Sequence, residues 1–118
     1  MINVTFSVTK DGLIRSLSVQ GHAGFDEYGR DIICAASSTL FQTAIHALEE
    51  LCELKDFYQI AQDSARTASK LRLPEVELLK GKDAPSQWVM ATVKSGFDLL
   101  EQTDKETYGG KHIQVVLN

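Results

Sequence analysis

The sequence has little of what would take it outside an ordinary single domain. It carries two cysteines and two prolines in 118 residues, too few cysteines for a disulfide framework. No apolar run approaches the roughly 20 residues of a membrane-spanning helix. Repeats, linkers and low-complexity tracts are missing as well. Basic residues are not in excess: 12 lysines and arginines against 16 acids leave a net charge of −4. A nucleic-acid binder carries a basic stripe, so neither direct nucleic-acid contact nor a membrane span is expected. Attraction to a basic partner is allowed. The opening MINVTFSV has neither the charged head nor the continuous apolar stretch of a secretion signal. A cytoplasmic location is therefore expected, with both cysteines as thiols.

The segments that are present have clear periods. Residues 2–9 alternate, with Ile2, Val4, Phe6 and Val8 on one face, as a half-buried strand does. Lys10-Asp11-Gly12 is a turn signal, and a second strand is expected over 13–21. Its alternation puts Leu13, Leu17 and Val19 on one face and Ile14, Ser16, Ser18 and Gln20 on the other. Residues 23–31 fit no period and read as a mobile loop. Helical spacing of Ile33, Ala36, Leu40, Ala44, Leu48 and Leu51 runs from 32 to about 54, with Asp31 suited to the N-cap or first turn. Strands are expected over 57–60 and 68–73, with a polar connection at Gln62-Asp63-Ser64. Residues 75–83 read either as loop or as a short helix. Pro85 suits the start of a helix reaching about 105, with Val89, Thr92, Val93, Gly96, Leu100 and Thr103 inward. Gly109-Gly110 breaks the chain before a last strand containing Ile113, Val115 and Leu117. The expectation is one α+β domain over 1–118, in the order ββαββαβ, with a mainly antiparallel sheet packed with two long helices.

One stretch carries chemistry. His22 ends a strand, and Cys34 opens a helix after a glycine-bearing loop. A thiol is nucleophilic as thiolate, and the first turn of a helix favours an anion through its unpaired N–H groups. Those groups also suit an oxyanion. A nearby imidazole takes the thiol proton and returns it to a leaving amine. From the residues alone, a cysteine at an apolar helix start is more often a small core side chain. A histidine at a strand end is more often a surface group. Asp31 reads first as a cap, with orientation of His22 as the alternative. Phe25 and Tyr28 are large aromatics in a polar loop with no obvious core to fill, so they read as substrate contacts or as loop anchors, with Gly29 beside them.

The run Gly21-His22-Ala23, then Gly29, then Asp31-Ile32-Ile33-Cys34-Ala35 resembles the signature of the ribosomal-processing cysteine proteases, the Prp family. The resemblance extends over the chain, is specific only over 21–38, and departs at Ser37, where an aliphatic residue is common. It implies a cytoplasmic cysteine endopeptidase, with Cys34 as nucleophile and His22 as general base and acid. Asp31 would be a third or orienting member. It also implies a ribosomal protein precursor as substrate: a short N-terminal extension of large-subunit protein L-twenty-seven, cut after aromatic residues. A homodimer is implied, and no cofactor.

Two other classes compete. A ribosome-associated docking module would need neither residue, and a redox-sensing thiol would need Cys34 alone. No metal-ligand spacing appears among three histidines and two cysteines. Cys34 and Cys52 lie 18 residues apart on one expected helix, about 27 Å at 1.5 Å per residue. Cys52 reads as packing, His46 as a helix-surface or interface residue, and His112 as a solvated strand edge. Trp88, Phe97, Leu99 and Leu100 read as core or dimer contacts.

Overall fold

The computed structural model describes residues 1–21, 28–62 and 67–118, with side chains from Ile32 onward in the second stretch. Among these residues five strands, β1 (Ile2–Val8), β2 (Ile14–Gln20), β3 (Tyr58–Gln59), β4 (Ser69–Arg72) and β5 (Ile113–Leu117), form one sheet in the order β3-β4-β2-β1-β5. Three helices join them: α1 (Tyr28–Cys52), α2 (Glu75–Leu79) and α3 (Pro85–Thr107). The fold is α+β, as expected, and the undecided 75–83 stretch is a short helix over Glu75–Leu79 followed by turns. Neighbouring strands are antiparallel except β5, which runs parallel to β1. Two crossovers, β2 to β3 through α1 and β4 to β5 through α3, each join strands of like direction. Such crossovers are right-handed, which puts α1 and α3 on the same face of the sheet.

That face holds the core. Val4, Phe6, Leu17 and Leu71 of the sheet meet Ile33, Phe41 and Leu48 of α1 and Met90, Val93 and Phe97 of α3. Phe6 and Phe97 pack edge to face at 5.9 Å. The opposite face is polar, with Asn3, Gln20, Lys70, Arg72 and Gln114 exposed. Thr92 is exposed and Met90 fully buried, so α3 is rotated relative to the stripe expected from its apolar residues. Leu51, expected inside, is 71% exposed at the end of α1, and Trp88 is 64% exposed, whereas Phe97 is core.

One strand corrects simple alternation. Ile14 was expected on the polar face, yet it is buried. Phe6 pairs with Leu17 and Ser7 with Ser16, but Val8 pairs with Ile14, which leaves Arg15 extra. This β-bulge turns Ile14 to the core side. The Gln87 side chain of α3 then serves the Ile14 backbone: Ile14 N–H donates to Gln87 Oε1 at 2.9 Å, and Gln87 Nε2 donates to the Ile14 carbonyl at 2.8 Å.

His112 also departs from expectation. It is 3% exposed, not a solvated edge. Its backbone N–H donates to Asp104 Oδ2 at 2.9 Å, and its Nδ1 lies 2.6 Å from Asp104 Oδ1. A buried carboxylate survives only when paired, and this one joins the last turns of α3 to the start of β5.

Among the described residues, Glu77 of α2 is the other buried acid, 3% exposed. Lys80 Nζ donates to its Oε2 at 2.6 Å, and this hydrogen bond holds the Glu77 carboxyl below its usual pKa despite burial. A depressed carboxyl pKa contributes stability above the unfolded value, lost as pH falls through the folded one. Wild type should therefore lose stability relative to Glu77→Gln as pH drops below the ordinary 4.5. Urea midpoints of the two proteins across pH 3 to 7 check this; parallel curves would refute it.

Candidate active site

α1 begins at Tyr28, four residues before the periodicity suggested. Hydrophobic spacing does not mark this start, because Gly29, Arg30 and Asp31 offer no apolar residue to extend the period. Tyr28 and Gly29 thus belong to the first helical turn, and Asp31 is the fourth helical residue, not the N-cap. Cys34 falls in the second turn, where its N–H lies within the i→i−4 ladder. The unpaired N–H groups belong further upstream, so the backbone around Cys34 does not supply the expected oxyanion donors. His22 and Phe25, the rest of the 23–27 loop, and the side chains of Tyr28 and Asp31 lie outside what the structure describes. So do Asp63 and Ser64 of the expected polar connection.

Cys34 is half-buried on the wall of a cleft of about 220 Å³. Three segments build it. The ends of β1 and β2 give Ile2, Val19 and Gly21. α1 gives Cys34, Ser37 and Phe41 at helical spacing. The segment after β3 gives Ile60 and Ala61, with the Ala61 N–H donating to Ser69 Oγ of β4 at 3.0 Å. Ile2, Val19, Phe41 and Ile60 give it an apolar wall, Ser37 is a buried polar one, and Ser38 and Gln42 are exposed at the rim. A polar depression lined by Ser18, Gln20 and Lys70 lies on the other sheet face and shares Ile60 and Ala61 with the cleft.

The other thiol is different. Cys52 is half-buried at the far end of α1. Burial first, then the nearby Glu77 carboxylate, push its pKa up, with Lys80 opposing. A thiol kept protonated is a poor nucleophile. His46 is on the helix surface, with Nε2 3.2 Å from Glu50 Oε2. Among the described residues, no three His, Cys, Asp or Glu side chains come together as a metal site, and no helix is long and apolar enough to cross a membrane.

Gly21 explains the first residue of the histidine-bearing motif. Its φ is +131°, and a Cβ there would lie 2.7 Å from the Ile2 Cα and closer still to the Met1 carbonyl oxygen. Both obstacles are backbone, so neither can swing aside. Gly21→Ala should force the β1–β2 ends that wall the cleft apart and lower the melting temperature, which a thermal melt measures. A melt equal to wild type would show that the close approach is dispensable.

A thiol that lines a cleft is placed where, as thiolate, it could meet a bound molecule as a nucleophile. A family model described as cysteine protease Prp matches residues 1–108, and the chain belongs to that family. It is similar to the ribosomal processing cysteine protease Prp of Staphylococcus aureus (strain Mu50), at 35% identity over 48 residues, 41% of this chain and 45% of the relative. It is also similar to that of Bacillus subtilis (strain 168), at 32% identity over 63 residues, 53% of this chain and 56% of the relative. The chain thus spans about half the length of the curated relatives it matches. The crystal structure of SMU.848 from Streptococcus mutans superposes with a TM-score of 0.80 at 29% identity, covering 99% of this chain and 93% of that one. The essential ribosomal processing protease Prp from S. aureus, in complex with a substrate peptide, shares the fold at a TM-score of 0.73 and 19% identity, with full coverage of both chains.

Proposed function

We propose that this protein is a cysteine endopeptidase that removes a short N-terminal extension from the precursor of ribosomal protein L-twenty-seven, cutting after an aromatic residue. The carrying observation is Cys34 on the wall of an apolar cleft in a chain of the Prp family. Cys34 is the nucleophile, and His22 is the general base and acid. His22 follows directly on Gly21, which lines that cleft.

In the reaction, His22 takes the Cys34 proton and the sulfur adds to the scissile carbonyl carbon. The tetrahedral adduct collapses, the C–N bond breaks, and the imidazolium gives its proton to the leaving amine. Water, deprotonated by the same imidazole, then cleaves the thioester and frees Cys34. The apolar cleft suits an aromatic side chain next to the cut bond, and Phe25, Tyr28 and Gly29 are proposed to border it. No cofactor enters this chemistry. The site of action is the cytoplasm, where thiols stay reduced. A homodimer is proposed as the working form. The groove of Ala35, Thr39, Gly96 and Leu99 between α1 and α3 lacks charge, as interface centres do.

The test is incubation with the unprocessed ribosomal protein and mass measurement of the new N-terminus. Loss of the extension by one cut after an aromatic residue is expected. An intact precursor refutes the proposal. A docking module would bind without cutting, and a redox thiol would be oxidised without needing His22. Asp31, as the fourth helical residue, is not the cap, so Asp31→Asn should leave the melting temperature near wild type. A several-fold loss of turnover in that variant supports orientation of His22, and unchanged turnover refutes it.

A further inference from the structure

Three threonines of these helices bond back to the carbonyl one turn earlier. Thr39 Oγ1 donates to the Ala35 carbonyl at 3.0 Å, Thr43 Oγ1 to Thr39 at 2.6 Å, and Thr92 Oγ1 to Trp88 at 2.8 Å. Ser37 makes no such bond. It is 2% exposed, and its Oγ has neither a hydrogen-bond partner nor contact with solvent. Native proteins rarely leave a buried hydroxyl in that state, because its lost hydration is not replaced. Such exceptions ask for a functional reason.

Its position supplies one. Ser37 lies one turn beyond Cys34 and one turn before Phe41, on the stripe of α1 that lines the cleft. At 1.5 Å per residue, Ser37 is about 4.5 Å along the helix axis from Cys34, and Phe41 about 10.5 Å. A side chain whose own carbonyl sits at the Cys34 sulfur, and which lies along this stripe, passes Ser37 before its tip reaches Phe41. The cleft volume of about 220 Å³ exceeds the roughly 150 Å³ of a cavity known to hold a benzene ring. Ile2, Val19, Phe41 and Ile60 make its walls apolar. Ser38 and Gln42 are exposed at the rim, where water competes for them, and Ser69 Oγ already accepts from Ala61. Ser37 therefore holds the buried hydroxyl with unspent capacity beside the place where a ring would lie.

We propose that Ser37 is a specificity-determining residue whose hydroxyl, after a χ1 rotamer change, hydrogen-bonds a polar group on the substrate side chain seated in the cleft, so that a phenol is preferred over a bare phenyl ring. This rests on the cysteine-protease reading of Cys34. A single polar group in an apolar pocket fixes orientation and choice of ligand, and a site that pairs with a substrate hydroxyl discriminates against the analogue lacking it.

The experiment uses two peptides identical except for Tyr or Phe before the cut bond, with kcat/KM measured for wild type, Ser37→Ala and Ser37→Val. Wild type should prefer Tyr by about five- to tenfold, the scale of one neutral hydrogen bond, and the ratio should fall to about one in both variants. The melting temperature of Ser37→Ala should rise, because an unsatisfied hydroxyl is removed and alanine is the better helix former. A ratio unchanged by the substitutions, a wild-type preference for Phe, or a lowered melting temperature in Ser37→Ala would each overturn the proposal while leaving the protease reading standing. If wild type cuts neither these peptides nor the ribosomal precursor, the protease reading fails and takes this proposal with it.

Discussion

Cys34→Ala and His22→Ala should each slow precursor cleavage by about a thousandfold or more, and the double variant should be no slower than the worse single one. Residues that act as one unit are grossly non-additive. In the proposed mechanism, the imidazole without the thiol has no proton to take, and the sulfur without the imidazole has no partner to activate it or to protonate the leaving amine. Rates from the four proteins of this cycle, measured on one peptide, decide the matter. Multiplying losses, on the order of a millionfold in the double variant, would mean that the two side chains act independently, and the dyad would be wrong. Cys34 is half-buried, and removing one sulfur from the wall of an open cleft costs little packing. Thermal melts of Cys34→Ala should therefore stay close to wild type, which separates lost chemistry from lost fold.

The largest loss of stability is expected from Asp104→Ala. Both oxygens of that buried carboxylate are used, one by the His112 N–H and one facing its Nδ1. Removing one partner of a buried pair strands the other away from water, which typically costs about 3–5 kcal/mol. The melting temperature should then fall on the order of 10 °C or more for a chain of this size. The damage would reach the cleft, because the His112 carbonyl accepts the Ile2 N–H at 2.8 Å and Ile2 is a cleft wall. Asp104→Asn keeps an acceptor for the His112 N–H and should lose clearly less. Guanidinium titrations of the three proteins measure both costs. A midpoint for Asp104→Ala equal to wild type would show that the pair does not tie α3 to β5.

These effects fall where sequence and structure part company. The histidine and cysteine signature could be read from the chain because its residues lie within one short stretch. The missing hydrogen bond of Ser37 could not, since whether a helical hydroxyl finds a partner depends on its rotamer and on what packs around it. The buried state of His112 was equally hidden: Asp104 looks like a solvated residue near the end of a helix until the Gly109-Gly110 turn folds β5 back against it. The helix start at Tyr28 escaped because Gly29, Arg30 and Asp31 offer no apolar residue by which the sequence would extend the period.

By itself the sequence determined the elements and their character. Alternation over 2–9 makes a one-sided strand, Pro85 opens a helix, Gly109-Gly110 ends it, and the spacing of Ile33, Ala44 and Leu48 makes α1 amphipathic. Such features follow from backbone geometry acting over a few neighbouring residues. Only the tertiary structure decided which strands pair, that β5 runs parallel to β1, and that Ile14 turns inward at a bulge held by Gln87, 73 residues away. It also decided that Cys34 and Cys52, alike in sequence as helical thiols, have different surroundings: one beside an apolar cleft, the other against a buried acid. The physical reason is the same throughout. Burial, pairing and charge environment are set by groups distant in the chain, and no local period encodes the partner that folding brings to them.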